Sequence, residues 1–150
     1  MQTAGGRALI LSRGTVMTRG GVEALKHQLW GEAMRHGLSQ AGLVLVLADG
    51  AMWIWNLVRD RFPEAVQGVH PWHATEHLWA VAHVLHPEDE VVAAAWIKPL
   101  KEKLLASQAV EVITELDQVL QHLRGARRAT GQAERNYLDH NRTRLDYQGF

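Results

Sequence analysis

Cysteine is absent from this chain of 150 residues. That absence excludes disulfide bonds and thiolate metal sites and is typical of a reducing compartment. Net charge is absent too, because 16 basic side chains balance 16 acidic ones, so no global field would draw the protein onto nucleic acid or a membrane. The first 20 residues offer only one apolar patch, Ala8 to Leu11, which is too short for a signal sequence or a membrane span. We therefore expect a cytoplasmic protein with no membrane partner.

The length of the chain, 150 residues, fits one domain. The pattern of its first half predicts an α/β fold. A helix is expected over residues 22–36, with Gly37 as a left-handed cap. The apolar run LVLVLADG, residues 43–50, predicts a parallel strand buried on both faces. A short helix closed by Pro63 and a second strand at about 65–69 follow, and this order favours parallel pairing through a crossover helix.

The second half of the chain is helical by pattern. A helix is expected from Pro71 to His86, and two further helices with a kink near Pro99 are expected to form a hairpin. The tail differs in composition, because six arginines stand there against three acidic residues. It therefore forms a local basic patch that could contact phosphates, although a solvated helix face is the alternative.

Asp49 is the first candidate functional residue, because it follows the first predicted strand directly. In α/β proteins functional groups gather at the carboxyl ends of parallel strands, and Gly50 would let the backbone turn tightly there. A helix N-cap is the alternative role, since aspartate accepts amide hydrogen bonds at that position. The residues alone leave both roles open.

The second candidate site is the histidine-rich run HPWHATEHLW, residues 70–79. Within it His73, Glu76 and His77 match the pattern H-x-x-E-H, in which two histidines one helical turn apart bind zinc and the glutamate acts as a base. A third ligand would have to come from elsewhere, and Glu134 and the carboxylates of residues 88–90 are the available ones. The alternative is that the histidines and their neighbouring tryptophans only pack the helix against the sheet.

Several segments resemble bacterial insertion-sequence transposases of the DDE type, in particular the Kra-type group. The most specific are LADGAMWIWNLVRDRFPEAVQ and WHATEHLW, and RGGVEALKHQLWGEAMRHGL, WIKPLKEKL and ERNYLDHNRTRLDY fit the same family. The resemblance implies a truncated ribonuclease H-like core, with parallel strands and crossover helices, in residues 19–90. It further implies an all-helical hairpin insertion in residues 91–124 and a basic helical tail in 125–150 that returns toward the core. Residues 1–18 are an unassigned leader.

The resemblance also implies a chemistry, DNA transposition, in which three acidic residues hold two Mg²⁺ ions for DNA cleavage and strand transfer. Asp49 matches the second acid and would be a catalytic metal ligand, and His73 would be a catalytic neighbour that orients or screens the site. His70 departs from the family pattern, which has an aspartate or cysteine there. Four arginines of the tail would contact DNA phosphates: Arg127, Arg128, Arg142 and Arg144.

The first and third acids of the family set are expected outside this chain. The principal hypothesis is therefore a transposase fragment that is inactive alone, with DNA, a full-length transposase or a second copy of itself as partners. A zinc hydrolase built on His73, Glu76 and His77 is one alternative. A noncatalytic domain that binds DNA or a transposase is the other.

Overall fold

The computed structural model describes residue 10 and residues 12–149. Over this part of the chain the fold is mixed α/β and mostly helical. The helices are α1 (Val22–Arg35), α2 (Met52–Arg61), α3 (Pro71–Leu85), α4 (Glu90–Leu105), α5 (Ala109–Leu120) and α6 (Gly125–His140), and the strands are β1 (Leu45–Ala48) and β2 (Val66–Val69). Short 3-10 turns occupy Leu38–Gln40 and Arg142–Arg144. The elements follow the order that the sequence predicts.

The two strands pair in parallel, as predicted, and α2 connects them. Leu45 lies opposite Val66, and Ala48 lies opposite Val69. Because the strands are parallel and in register, their carboxyl ends meet at one edge of the sheet. Asp49 and His70 each follow directly after a strand at that edge.

Burial of β1 differs from the prediction that this strand is buried on both faces. Leu45 is 38% exposed and Leu47 is 45% exposed, whereas Val46 and Ala48 pack against the core. Successive side chains of a strand point to opposite faces, so the core covers one face of β1 and solvent reaches the other. A continuous apolar run in the sequence shows that the side chains are apolar. It does not show whether a second layer of structure covers both faces of the strand.

Helix α1 begins and ends close to the predicted positions. Gly37 follows it with a φ angle of +86°, the left-handed conformation expected of a glycine after a helix. The helix packs against α2, and Lys26 pairs with Asp60 across that contact at 2.9 Å. None of its side chains is buried, so α1 lies on the core rather than in it.

Helices α3 to α6 form a four-helix bundle. Helix α3 packs against α4 and α6, and α5 packs against the same two helices. Pro71 occupies the first turn of α3, as predicted, and Pro99 lies inside α4. The interior contains fully buried side chains from all four helices, among them Leu78, Leu104, Leu116 and Leu138. This bundle supplies most of the hydrophobic core.

Most of the predicted leader lies outside the described residues, namely residues 1–9 and residue 11. Residues 12–18 have neither helical nor strand structure. None of the helices in the described part of the chain is long and apolar enough to cross a membrane.

Candidate functional site

Asp49 occupies the turn between β1 and α2. Its carboxylate is exposed, and Oδ1 accepts the amide hydrogen of Ala51 at 2.9 Å. Ala51, rather than Asp49, is the residue that caps α2. The alternative role as helix N-cap is therefore wrong for Asp49. The residue lies at the carboxyl end of a parallel strand, and its side chain stabilises the turn that leads into the helix.

Asp49 and His73 line the same cleft, which has a volume of about 390 Å³. The rest of the lining is apolar and comes mainly from α1, β1 and α2, with Leu25, Val46 and Trp53 as examples. His73 reaches the cleft because α3 begins directly after β2, next to the end of β1. The two residues that the resemblance assigns to one catalytic site thus line the same cleft in the structure.

A third residue at this site, Tyr137 on α6, was missed by sequence reasoning. Its hydroxyl donates a hydrogen bond to the main-chain oxygen of Asp49. Burial, followed by the negative charges of Asp49 and Glu76, raises the pKa of Tyr137 to about 12. The hydroxyl therefore keeps its proton near neutral pH and remains a donor. The late segment ERNYLDHN pointed to this helix but not to this contact.

The ring of Tyr137 is held by α3. His77 stacks on it with ring centroids 3.5 Å apart and an angle of 19° between the planes. Nδ1 of His77 lies 2.5 Å from Oε2 of Glu134, which precedes Tyr137 by one turn of α6. His77 and Glu134 are therefore engaged in holding α6 against α3.

Asn141 links the same helix to the core of the α/β part. Its side-chain oxygen accepts a hydrogen bond from the indole nitrogen of Trp55 at 3.2 Å, and its amide donates to the main-chain oxygen of Tyr137 at 3.0 Å. Both Trp55 and Asn141 are buried, where an unpaired polar group would be costly. This pair fixes the end of α6 beside α2.

The histidine-rich run does not assemble into one cluster. His73 Nδ1 lies 2.9 Å from Glu76 Oε2, whereas His77 pairs with Glu134. His70 is exposed and its Nδ1 accepts the amide hydrogen of Trp72 at the start of α3. Among residues 12–149 no group of three or more histidine, aspartate or glutamate side chains is arranged to hold a metal ion. The zinc hydrolase stays a prediction without support from this geometry.

The site does not match the two-Mg²⁺ arrangement that the resemblance implies. Asp49 is the single carboxylate that the described residues contribute to the cleft. Two Mg²⁺ ions require several carboxylate oxygens between them. The described residues therefore do not fit a complete two-metal site, and any such site would need carboxylates from elsewhere.

The four predicted DNA-binding arginines divide into two pairs. Arg127 donates to the main-chain oxygen of Val84, at 3.1 and 2.6 Å, and so caps the end of α3. Arg144 lies 4.7 Å above the ring of Trp55 and donates to the side chain of Gln67 at 2.9 Å. By contrast, Arg128 is exposed, and 61% of the Arg142 side chain is exposed. Arg127 and Arg144 thus contact other elements of the fold, whereas Arg128 is exposed and Arg142 is an exposed side chain that lies 3.8 Å from Asp139, three residues before it.

Comparisons with protein-family models, with curated proteins and with solved structures find no match to this chain. The resemblance to transposases therefore rests on the sequence segments quoted above, and the geometry of the cleft is an independent observation.

Proposed function

We propose that this chain is part of a DDE-type transposase, with a truncated ribonuclease H-like core followed by a helical insertion. The observation that carries the proposal is the meeting of Asp49 and His73 in one cleft at the carboxyl end of a parallel strand. In α/β proteins, the residues that bind ligands commonly lie at the carboxyl ends of parallel strands, which is the position of Asp49. The paired strands, the helical hairpin of α4 and α5, and the contact of α6 with the Asp49 turn are compatible with this arrangement.

In this proposal Asp49 is one of several carboxylates that bind Mg²⁺, and the others come from another part of the transposase or from another copy. His73 borders the cleft and would orient or screen the site. Because one carboxylate does not organise two metal ions, the chain should not cleave or join DNA by itself.

DNA would be contacted by the exposed arginines of the tail. Arg128 is exposed, and the Arg142 side chain is 61% exposed although it lies 3.8 Å from Asp139, so both can reach phosphates in solvent. Arg127 and Arg144 would contribute indirectly, because they hold α3 and α2 in place. Phosphate contacts of this kind give affinity without sequence preference and weaken steeply as salt is raised.

One experiment tests both parts of the proposal. The purified chain is mixed with labelled duplex DNA in Mg²⁺, and retention and strand cleavage are followed over a series of salt concentrations. We expect salt-dependent retention without cleavage or joining. The double variant Arg128→Ala with Arg142→Ala should retain less DNA, with a salt slope smaller by roughly 2, since each lost phosphate contact lowers it by about 0.9.

The matched control removes two exposed lysines from α4, Lys98→Ala with Lys101→Ala, and so changes the net charge equally. This control should leave retention nearly unchanged. Equal losses in the two double variants would contradict a DNA contact through the tail. Cleavage or joining of DNA by the chain alone, abolished by Asp49→Asn, would contradict the incomplete carboxylate set.

A further inference from the structure

The turn that carries Asp49 is held from a distant part of the chain. We infer that Tyr137 is a positioning residue that fixes the orientation of Asp49 by holding the main chain of its turn. This inference rests on the proposed role of Asp49 as a site carboxylate. It assigns to α6 a function at the site in addition to its packing in the helical bundle.

The contact between Tyr137 and the turn is close and specific. The tyrosine hydroxyl donates to the main-chain oxygen of Asp49, and the next residue, Gly50, has a φ angle of +94°. A Cβ atom at position 50 would overlap the ring of Tyr137. Only glycine therefore allows both the left-handed turn and the approach of the ring.

The ring of Tyr137 is itself held in place. His77 stacks on one face at a centroid distance of 3.5 Å, and Glu134 pairs with that histidine. Asn141 binds the main-chain oxygen of Tyr137 and the buried indole of Trp55. Because contacts with α3 and α2 restrict the position of the ring, the hydroxyl can hold the turn in one orientation.

The carboxylate of Asp49 depends on this support more than a buried group would. It is exposed, and it accepts the amide hydrogen of Ala51 from within the same turn. A hydrogen bond inside the turn cannot fix the direction of the turn relative to the rest of the fold. The contact with Tyr137 does fix it, because it joins the turn to an element of the helical bundle.

The test compares Tyr137→Phe with Tyr147→Phe in the whole chain, without DNA or metal. Tyr147 is a matched control, because its hydroxyl is buried and has no hydrogen-bond partner among the described residues. Two native-state signals are followed by NMR: the carboxyl carbon resonance of Asp49 and the backbone order parameters at Gly50 and Ala51. Neither signal responds to a change in stability alone.

In Tyr137→Phe we expect the Asp49 resonance to move and the order parameters to fall from about 0.85, typical of rigid backbone, toward about 0.6. Tyr147→Phe should change neither signal. If Tyr137→Phe does not fold, His77→Ala removes the stacked ring and leaves the hydroxyl in place, and a smaller fall of the same order parameters is expected.

Unchanged signals at Asp49 and Ala51 in Tyr137→Phe, or in His77→Ala where that variant has to be used, would overturn the positioning role. Equal changes in Tyr137→Phe and Tyr147→Phe would overturn it as well, because the loss would not be specific to the bonded hydroxyl. The measurement involves neither DNA nor Mg²⁺. A failure of the transposase proposal in the DNA experiment therefore remains distinguishable from a failure of this inference.

Discussion

The two regions of this molecule bury their apolar residues very differently. In the helical bundle, α3 to α6, each helix contributes buried side chains, and those of Leu78, Leu104 and Leu116 are completely inaccessible. In the strand layer, which comprises α1, β1, α2 and β2, the inner elements α2 and β2 contribute buried residues such as Trp55 and Val69. Helix α1, however, has no buried side chain, and β1 alternates between exposed and partly buried residues. Both regions contain many apolar residues, but those of α1 and β1 are less buried than those of the bundle.

The difference shows that burial depends on partners as well as on sequence pattern. The apolar stripe of α5 meets α4 and α6, which cover it. Strand β1 carries apolar residues on both faces, yet the described part of the chain covers only the face of Val46 and Ala48. An exposed apolar strand of this kind is prone to association with another chain.

The largest expected effect contrasts one leucine from each region. Leu116→Ala should lower the free energy of unfolding by about 3 kcal/mol, because the side chain is fully buried and its removal leaves a cavity. Leu47→Ala should change it by no more than about 0.5 kcal/mol, because the residue is 45% exposed. Urea denaturation of both variants beside the parent chain measures the two values.

A loss at Leu47 as large as the loss at Leu116 would break the comparison. It would mean that the outer face of β1 is covered in solution, and a midpoint that rises with protein concentration would identify a second copy as the cover.

A smaller effect is expected at the turn where the two regions meet. Gly50→Ala should cost about 2 kcal/mol, because it combines a strained φ angle of +94° with a collision against Tyr137. Gly37→Ala is the control: its φ angle is +86°, but no atom of the described residues outside its chain neighbours lies within 4 Å of the added carbon, and about 1 kcal/mol is expected. The free energy of unfolding of both variants is measured by urea denaturation. Equal losses in the two variants would show that the Tyr137 ring can move away from the added carbon at no energetic cost.

The sequence predicted the local elements well, because their signals are local. Apolar periodicity placed the helices, Gly37 marked the end of α1, and Pro71 marked the start of α3. The parallel pairing of β1 with β2 followed from the order of strand, helix and strand. The helix signals depend on residues within about a dozen positions of one another, and the pairing of β1 with β2, which joins residues 21 positions apart, needs only the order of three neighbouring elements.

The site was predictable only in part, for the same reason. Asp49 was a candidate from its place at a strand end and from the resemblance, and His73 from the histidine motif and the resemblance. The structure lines one cleft with both, while their catalytic role stays a prediction. Tyr137 was not a candidate, because its bond to Asp49 joins residues far apart in the chain and leaves no periodic signal. Arg127 and Arg144 look in sequence like any other arginines of a basic tail. Their contacts with Val84 and Trp55 depend on how the bundle packs against the strand layer.

The smallest effect contrasts one ion pair from each region. In the bundle, Arg135 of α6 binds Asp117 of α5 through two hydrogen bonds of 2.8 and 2.9 Å, and these bonds hold the pKa of Asp117 below its usual range. In the strand layer, Lys26 binds Asp60 through one contact. Asp117→Asn should lower the free energy of unfolding at neutral pH by about 1 kcal/mol, and Asp60→Asn should lower it by less.

The pH dependence of this effect follows from the direction of the shift. Because the folded pKa of Asp117 is lower than the unfolded value of about 4, its stabilisation is complete above that value. It is lost as the pH falls through the lower folded pKa. Urea midpoints of the parent chain and Asp117→Asn should therefore converge between pH 7 and about pH 2. A gap that persists in acid would show that Asp117 contributes through packing rather than through its charge.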